Sequence, residues 1–159
     1  MARIVLTDAG PLIALARLDA LFILARLFGS VVAPAAVVDE CKAKETEDSR
    51  RINTAIQTGW IKIEVPTMPL PEMPRSLGEG EKQVIALAQT HPQSLLILDD
   101  RLARKHAARL GLAFLGTARL LNFAERQGLI DSAELSVEAL RQSGYRISPD
   151  VLEHIRQSR

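Results

Sequence analysis

The run Ser94-Leu95-Leu96-Ile97-Leu98 has no polar residue after its first and is followed at once by Asp99-Asp100. Side chains alternate across a strand, so an uninterrupted apolar run needs cover on both faces, which a parallel sheet between helices supplies. Shorter β-branched or alternating runs at Arg3 to Thr7, Val31 to Ala33, Trp60 to Val65 and Leu112 to Leu115 supply candidate partners. The segments between them carry helical periodicity and helix-start signals. Leu12 to Leu18 is one. A second helix capped by Asp19 runs through Phe28, and a third, with Pro34 at its favoured first position, carries Asp39 and Glu40. Glu47 to Thr58 stops at Gly59, and Val84, Ile85, Leu87 and Ala88 mark the next helix. Further helices reach Leu110, span Thr117 to Gln127, and close the chain at about Ser132 to Gln142 and Pro149 to Gln157. The Pro-rich stretch Pro66 to Pro74 is irregular. Strands alternating with helices predict an α/β fold with a mainly parallel sheet, since right-handed crossovers return each strand parallel to the last.

A chain of 159 residues with 47% hydrophobic and 25% charged residues suits one globular domain, and residues from about 132 onward read as an extension of it. The apolar stretches Leu12 to Ala16 and Ala20 to Leu27 are interrupted by Arg17, Asp19 and Arg26. Both fall short of the roughly 18 unbroken residues that a membrane span needs. The amino terminus lacks the long apolar segment of a signal peptide, which predicts a cytoplasmic protein. A single cysteine, Cys41, excludes a disulfide framework and a cysteine zinc site, and beside Val37 and Val38 it reads as a small core residue. With a net charge of +1 and 4% aromatics, neither global charge nor a base-stacking platform announces a nucleic-acid binder.

In open α/β sheets, ligands sit beyond the carboxyl ends of the strands. Asp8 ends the first strand and Asp99-Asp100 end the most apolar one, so these acids converge if the two strands are neighbours. Glu40, on the helix after the second strand, and Glu79 and Glu81, at the start of the helix before Ser94, border the same edge. Clustered carboxylates repel unless a cation neutralises them, and oxygen-only ligands suit Mg²⁺ or Mn²⁺. That chemistry is metal-assisted phosphoryl transfer to an activated water. Each acid also has a bland role: Asp8 as a turn former or helix cap, Asp99 as a cap with Asp100 complementing the helix dipole, Glu79 and Glu81 as favourable first-turn acids, Glu40 as a solvated helix position.

Arg101, Lys105 and Arg109 share a helix face at i, i+4, i+8, with Arg104 nearby, and could hold a phosphate backbone or simply face solvent. His91, His106 and His154 lack metal-ligand spacing. Gly78-Glu79-Gly80-Glu81-Lys82-Gln83 lacks the glycine spacing and Lys-Ser/Thr pair of a phosphate loop.

The ordered set Thr7-Asp8-Ala9-Gly10-Pro11-Leu12-Ile13-Ala14-Leu15-Ala16, Val37-Val38-Asp39-Glu40, Gly80-Glu81 with Ile85-Ala86-Leu87-Ala88, Leu96-Ile97-Leu98-Asp99-Asp100-Arg101-Leu102-Ala103-Arg104 and Gly116-Thr117 resembles the successive motifs of a PIN-domain protein. The resemblance runs from about residue 3 to 130, and Gly144-Tyr145-Arg146-Ile147-Ser148-Pro149 also looks like one VapC-like branch. It implies a five-stranded parallel sheet flanked by helices and a Mg²⁺- or Mn²⁺-dependent ribonuclease, the toxin partnered by a small antitoxin. By position, Asp8, Glu40 and Glu81 match the first three metal-binding acids, and Asp99 or Asp100 the fourth. Thr117 matches a supporting hydroxyl position. The third acid is Glu where many relatives have Asp. Two rivals stand beside this reading: a PIN-like scaffold that binds RNA or a partner without cutting it, and a receiver-like phosphoacceptor domain, which would place its acidic pair at the first strand. Self-association into a homodimer is suggested only by exposed apolar positions expected along Leu12 to Leu27, such as Leu21, Ile23 and Leu24, which helix packing in the monomer explains equally well.

Overall fold

The computed structural model describes residues 3–147 and 149–157. Five strands, β1 (Val5–Thr7), β2 (Val31–Pro34), β3 (Ile61–Glu64), β4 (Leu95–Ile97) and β5 (Ala113–Leu115), form one sheet in the order β3-β2-β1-β4-β5. Every pairing is parallel. From β1 the chain builds outward through β2 to β3, then crosses back to lay β4 on the other side of β1. The β1/β4 junction is therefore the point where strand order reverses.

Val5, Leu6 and Thr7 are all buried, as are Leu96, Ile97 and Leu98. Because successive side chains point to opposite faces, this confirms that helices cover both sides of the central strands. The amino-terminal helices are α1 (Ala9–Arg17), α2 (Phe22–Phe28), α3 (Ala35–Lys42) and α4 (Glu47–Thr58). They are followed by α5 (Glu79–Thr90), α6 (Arg101–Arg109), α7 (Thr117–Arg126), α8 (Ala133–Gln142) and α9 (Pro149–Gln157). Helices α7, α8 and α9 pack on one another, and Val137, Leu140 and Ile155 join the same apolar cluster as the sheet. Among the described residues, no helix is long and apolar enough to cross a membrane.

Three expectations are corrected. Pro34 is the last residue of β2 and the cap of α3, so the helix opens at Ala35; the proline's fixed φ of −61° serves the extended cap conformation equally well. Asp19 does not cap α2, whose cap is Leu21; it occupies a left-handed turn at φ 52°. Leu21, Ile23 and Leu24 are not exposed: Ile23 and Leu24 are wholly buried in the monomer and Leu21 nearly so. Packing within the monomer accounts for these three positions. The exposed large apolar residue of that helix is Phe22, 44% exposed.

Deleting most of a buried leucine costs transfer energy plus a cavity, so Leu24→Ala should lower the unfolding free energy by about 2–5 kcal/mol. Phe22→Ala should cost far less. Urea denaturation measures both, and a larger loss at Phe22 would mean that α2 packs differently in solution.

Candidate functional site

Asp8 directly follows β1, and its backbone N–H donates to the Ile97 carbonyl at 3.1 Å, so β1/β4 pairing continues to the first acid. It stands at the cap position of α1, yet its side chain makes no capping bond. Asp8 thus lacks the side-chain capping bond that its reading as a helix cap would require. Asp8 is 7% exposed. Burial above all, and then the charges of Glu40, Asp99 and Asp100, push its pKa up to about 7 against the opposing pull of the Ala9 backbone N–H.

Glu40 is solvent-exposed on α3, but it reaches toward the same place. A methyl group added to Gly80 would lie 3.3 Å from Glu40 Oε1, 3.4 Å from Asp8 Oδ1 and 3.2 Å from Val37 Cγ2. Helix α5 can approach these acids because Gly80 has no side chain there. Glu81, one residue on, is partly buried, and its pKa also rises to about 7: burial contributes most, followed by Asp8 and Asp100, including a hydrogen bond shared with Asp100. Glu81 Oε2 is buried without a hydrogen-bond partner among the described residues.

The aspartate doublet divides its work in the opposite sense to the bland reading, in which Asp99 caps the helix. Asp100, not Asp99, caps α6, accepting the Ala103 N–H at 2.9 Å. Asp99 turns toward the β5–α7 junction, where Oδ1 accepts the Thr117 N–H at 2.8 Å and Oδ2 accepts the Thr117 hydroxyl at 2.6 Å. Asp99 Oδ2 also accepts the Tyr145 hydroxyl at 2.5 Å. Glu79 is exposed and pairs with Lys82 at 3.7 Å, outside this group.

Asp8, Glu40, Glu81, Asp99 and Asp100 are therefore brought to one crevice by separate elements. An all-oxygen donor set, with an orphaned carboxylate oxygen at Glu81, fits a hard divalent cation in its chemistry. Among the described residues, however, no three acidic, histidine or cysteine side chains already form a metal-holding group. The raised pKa values of Asp8 and Glu81 explain how the acids coexist without a cation: near neutrality, protons relieve the repulsion. A metal would displace those protons and open the Glu81–Asp100 contact.

Beside Asp99 opens a cavity of about 1010 Å³ whose walls include Arg101, Arg104, Arg119, Arg126 and Arg146. Arg104 lies over the Phe114 ring at 5.0 Å and Arg119 over Phe123 at 5.7 Å, which holds both guanidinium groups in place. Lys105 and Arg109 are exposed and do not line this cavity. Only Arg101 of the expected i, i+4, i+8 face does so, joined by Arg104 from one turn along. Arg119, Arg126, Tyr145 and Arg146 carried no spacing signal, because α7 and the carboxyl-terminal segment meet α6 only in the fold.

Among the described residues, the histidines and the cysteine belong to no group of three metal-ligating side chains. His91 pairs with Glu64 at 2.9 Å, His106 lies in the last turn of α6, and the side chain of His154 is outside the described residues. Cys41 is buried, and burial with the charges of Glu40 and Asp8 raises its thiol pKa to about 12.

The acids make metal-free stability pH-dependent, with a definite sign. Asp8 has a folded pKa of about 7 against an ordinary 3.8, so between these values the native state holds a proton that the unfolded chain has released. Stability must therefore fall as pH rises through that window. In EDTA, wild type should melt progressively lower from pH 5 to pH 8, and Asp8→Asn should show a shallower decline and melt above wild type at pH 8. Parallel wild-type and mutant curves in a calorimetric pH series would remove Asp8 from the electrostatic cluster.

The chain matches the family model DUF3368, a PIN domain, over residues 4–159. No curated protein sequence matches it. PIN domains are generally nucleases, and the receiver-like alternative has no support in this match. With the acids at the β1/β4 reversal of an all-parallel sheet and nearly the whole length matched, this chain belongs to the PIN-domain family.

Proposed function

We propose that this protein is a metal-dependent endoribonuclease that hydrolyses RNA phosphodiester bonds with water, using Mg²⁺ or Mn²⁺ held by Asp8, Glu40, Glu81 and Asp99, with Asp100 alongside. The observation that carries the reading is the juxtaposition of an acidic crevice at the β1/β4 junction with an arginine-lined cavity that begins at Asp99. A bound divalent cation would supply Lewis acidity, making the attacking water more acidic and neutralising charge at the departing oxygen. With the carboxylates assigned to the cation, no thiol or hydroxyl among the described residues of the crevice is free to act as nucleophile. The Cys41 thiol is buried and strongly disfavours ionisation, and the hydroxyls of Thr117 and Tyr145 donate to Asp99. Attack therefore falls to water.

The division of labour follows from charge. The carboxylates hold the cation, Thr117 orients Asp99, and the arginines draw the phosphates alongside so that one diester faces the acids. The low aromatic content fits recognition through the backbone rather than by stacking on bases. Within this reading the protein is the toxin of a toxin–antitoxin pair, silenced by a small antitoxin. A second reading, a PIN scaffold that binds RNA or a partner without cutting, draws support from the lack of a preformed three-ligand group among the described residues.

A single-stranded RNA assay in Mn²⁺ and in EDTA separates the two readings. Wild type should cut only with metal, and Asp8→Asn and Asp99→Asn should each lose at least a hundredfold in rate, because a displaced acid moves both cation and water. RNA bound by wild type but left intact under all metal conditions would favour the scaffold. Normal cutting by Asp99→Asn with loss in Asp100→Asn would transfer the fourth ligand to Asp100. Growth arrest on expression of wild type, relieved in Asp8→Asn, tests the toxin role.

The arginine cavity yields a separate measurement. Removing one side chain that binds a phosphate should reduce the slope of log affinity against log salt by about 0.7 for a single strand. Arg101→Ala should produce such a reduction, and Lys105→Ala should leave the slope near wild type, the reverse of an RNA path along the outer face of α6.

A further inference from the structure

We propose that Tyr145 is a positioning residue of the acid crevice, holding Asp99 in place from the loop between α8 and α9, so that the carboxyl-terminal segment completes the site. The inference rests on the metal-dependent reading above and adds to it a residue that lies far in sequence from every acid it serves.

The local sequence explains how a tyrosine reaches that place. Helix α8 ends at Gln142 with Ser143 as its cap, and Gly144 follows in a left-handed conformation at φ 92°. The Tyr145 N–H donates to the Leu140 carbonyl and the Gly144 N–H to that of Arg141, both at 3.1 Å. These two bonds form the six-to-one and five-to-two pattern of a Schellman close, in which glycine reverses the chain without a side-chain penalty. The residue after that glycine is thereby fixed relative to α8. Since α8 is anchored by the buried Val137 and Leu140, the phenol has a rigid base.

At the other end the phenol enters a gap left by a second glycine. A methyl group on Gly10, in the first turn of α1, would lie 3.2 Å from the Tyr145 hydroxyl oxygen. The hydroxyl thus sits between the amino-terminal end of α1 and the carboxylate of Asp99, to which it donates at 2.5 Å. Burial and the adjacent Asp99 both raise the phenol pKa, so it remains a proton donor.

Counting lone pairs shows what this bond does. An ionised carboxylate offers about four acceptor positions. Thr117 occupies one on each oxygen of Asp99, and Tyr145 takes the second on Oδ2. The remaining position is on Oδ1, the oxygen that would lie 2.9 Å from a methyl group on Gly116. With Thr117 alone, Asp99 is held by one residue at the start of α7. Tyr145 adds a bond from a different element, and two anchors on separate elements remove the freedom to swing about the first. A plain packing role would use the ring and leave the hydroxyl incidental.

Tyr145→Phe isolates the hydroxyl, since it keeps the ring and its contacts. Outer hydrogen-bond partners of metal ligands typically contribute about 10–100-fold in metal affinity or activity. Titration of Mn²⁺ followed by electron paramagnetic resonance should therefore give at least tenfold weaker binding in Tyr145→Phe. Its kcat on RNA should fall by a similar factor, with KM little changed and the melting temperature in EDTA within about 3 °C of wild type. Wild-type Mn²⁺ affinity in the variant overturns the proposal, whatever its melting temperature, and leaves Tyr145 as a core residue. If wild type itself binds no Mn²⁺, the metal-dependent reading fails and this inference falls with it.

Discussion

The parallel pairing of β1 with β4 is the contact on which the rest of the molecule depends. Thr7 is in register with Ile97, so the next residues along the two strands emerge side by side from the sheet. Those residues are Leu98 and Asp8, and then Asp99 and Ala9. The strands themselves contribute apolar burial: Leu6, Leu96 and Ile97 are wholly inaccessible to solvent. That burial is strong enough to hold in proximity, at the strand ends, carboxyl groups that would otherwise separate. The site is thus the electrostatically unfavourable end of a favourable sheet, and the two properties share the same residues.

The acids reduce their mutual repulsion in two ways within the protein. Asp8 and Glu81 are shifted so that they retain protons near neutrality, while Asp99 and Asp100 are supplied with N–H and O–H donors from α7, the Tyr145 loop and α6. The first device is exchangeable, since a cation can take the place of a proton. The second is permanent and sets orientation. A crevice built from both has fixed members against which the exchangeable ones adjust. This division gives Asp99 and Asp100 different characters despite their adjacency, one tied to α7 and the Tyr145 loop and the other to its own helix and to Glu81.

Sequence reasoning captured what local chemistry dictates and missed what assembly decides. The unbroken run before Asp99 could only be a doubly covered strand, and Asp8 after a short β-branched run could only sit at a strand end. Both are where periodicity places them. Which of Asp99 and Asp100 caps α6 was open, because either residue can do so and only the position of Thr117 decides which one is drawn away. Leu21, Ile23 and Leu24 looked like a surface stripe because periodicity reports which residues share a face and says nothing of what covers that face. Tyr145 and the arginines of α7 reach the crevice across large sequence separations, so no spacing rule could find them. The Glu40 side chain is a different case: it is exposed, as an ordinary helix glutamate would be, and becomes notable only because Gly80 brings α5 beneath it.

Three glycines give the site its reach, and each does so through the absence of a side chain at a named contact. Gly80 admits Asp8 and Glu40 to the amino-terminal end of α5, Gly10 admits the Tyr145 hydroxyl beside α1, and Gly116 admits Asp99 Oδ1 at the start of α7. None of the three has a positive φ, so backbone conformation alone would accept alanine. In mid-helix, alanine would even be preferred over glycine by about 1 kcal/mol. At Gly10 and Gly80, which lie within α1 and α5, the gaps are therefore not required by the helices, whereas Gly116 is the cap of α7, a position that itself favours glycine over alanine. The gaps suit the acids and the phenol, whose oxygen atoms lie 3.2–3.4 Å from a methyl group at Gly10 or Gly80 and 2.9 Å from one at Gly116. In this fold the crevice is built by withholding atoms from helix starts as much as by placing carboxylates at strand ends, and the two must be matched for the acids to meet.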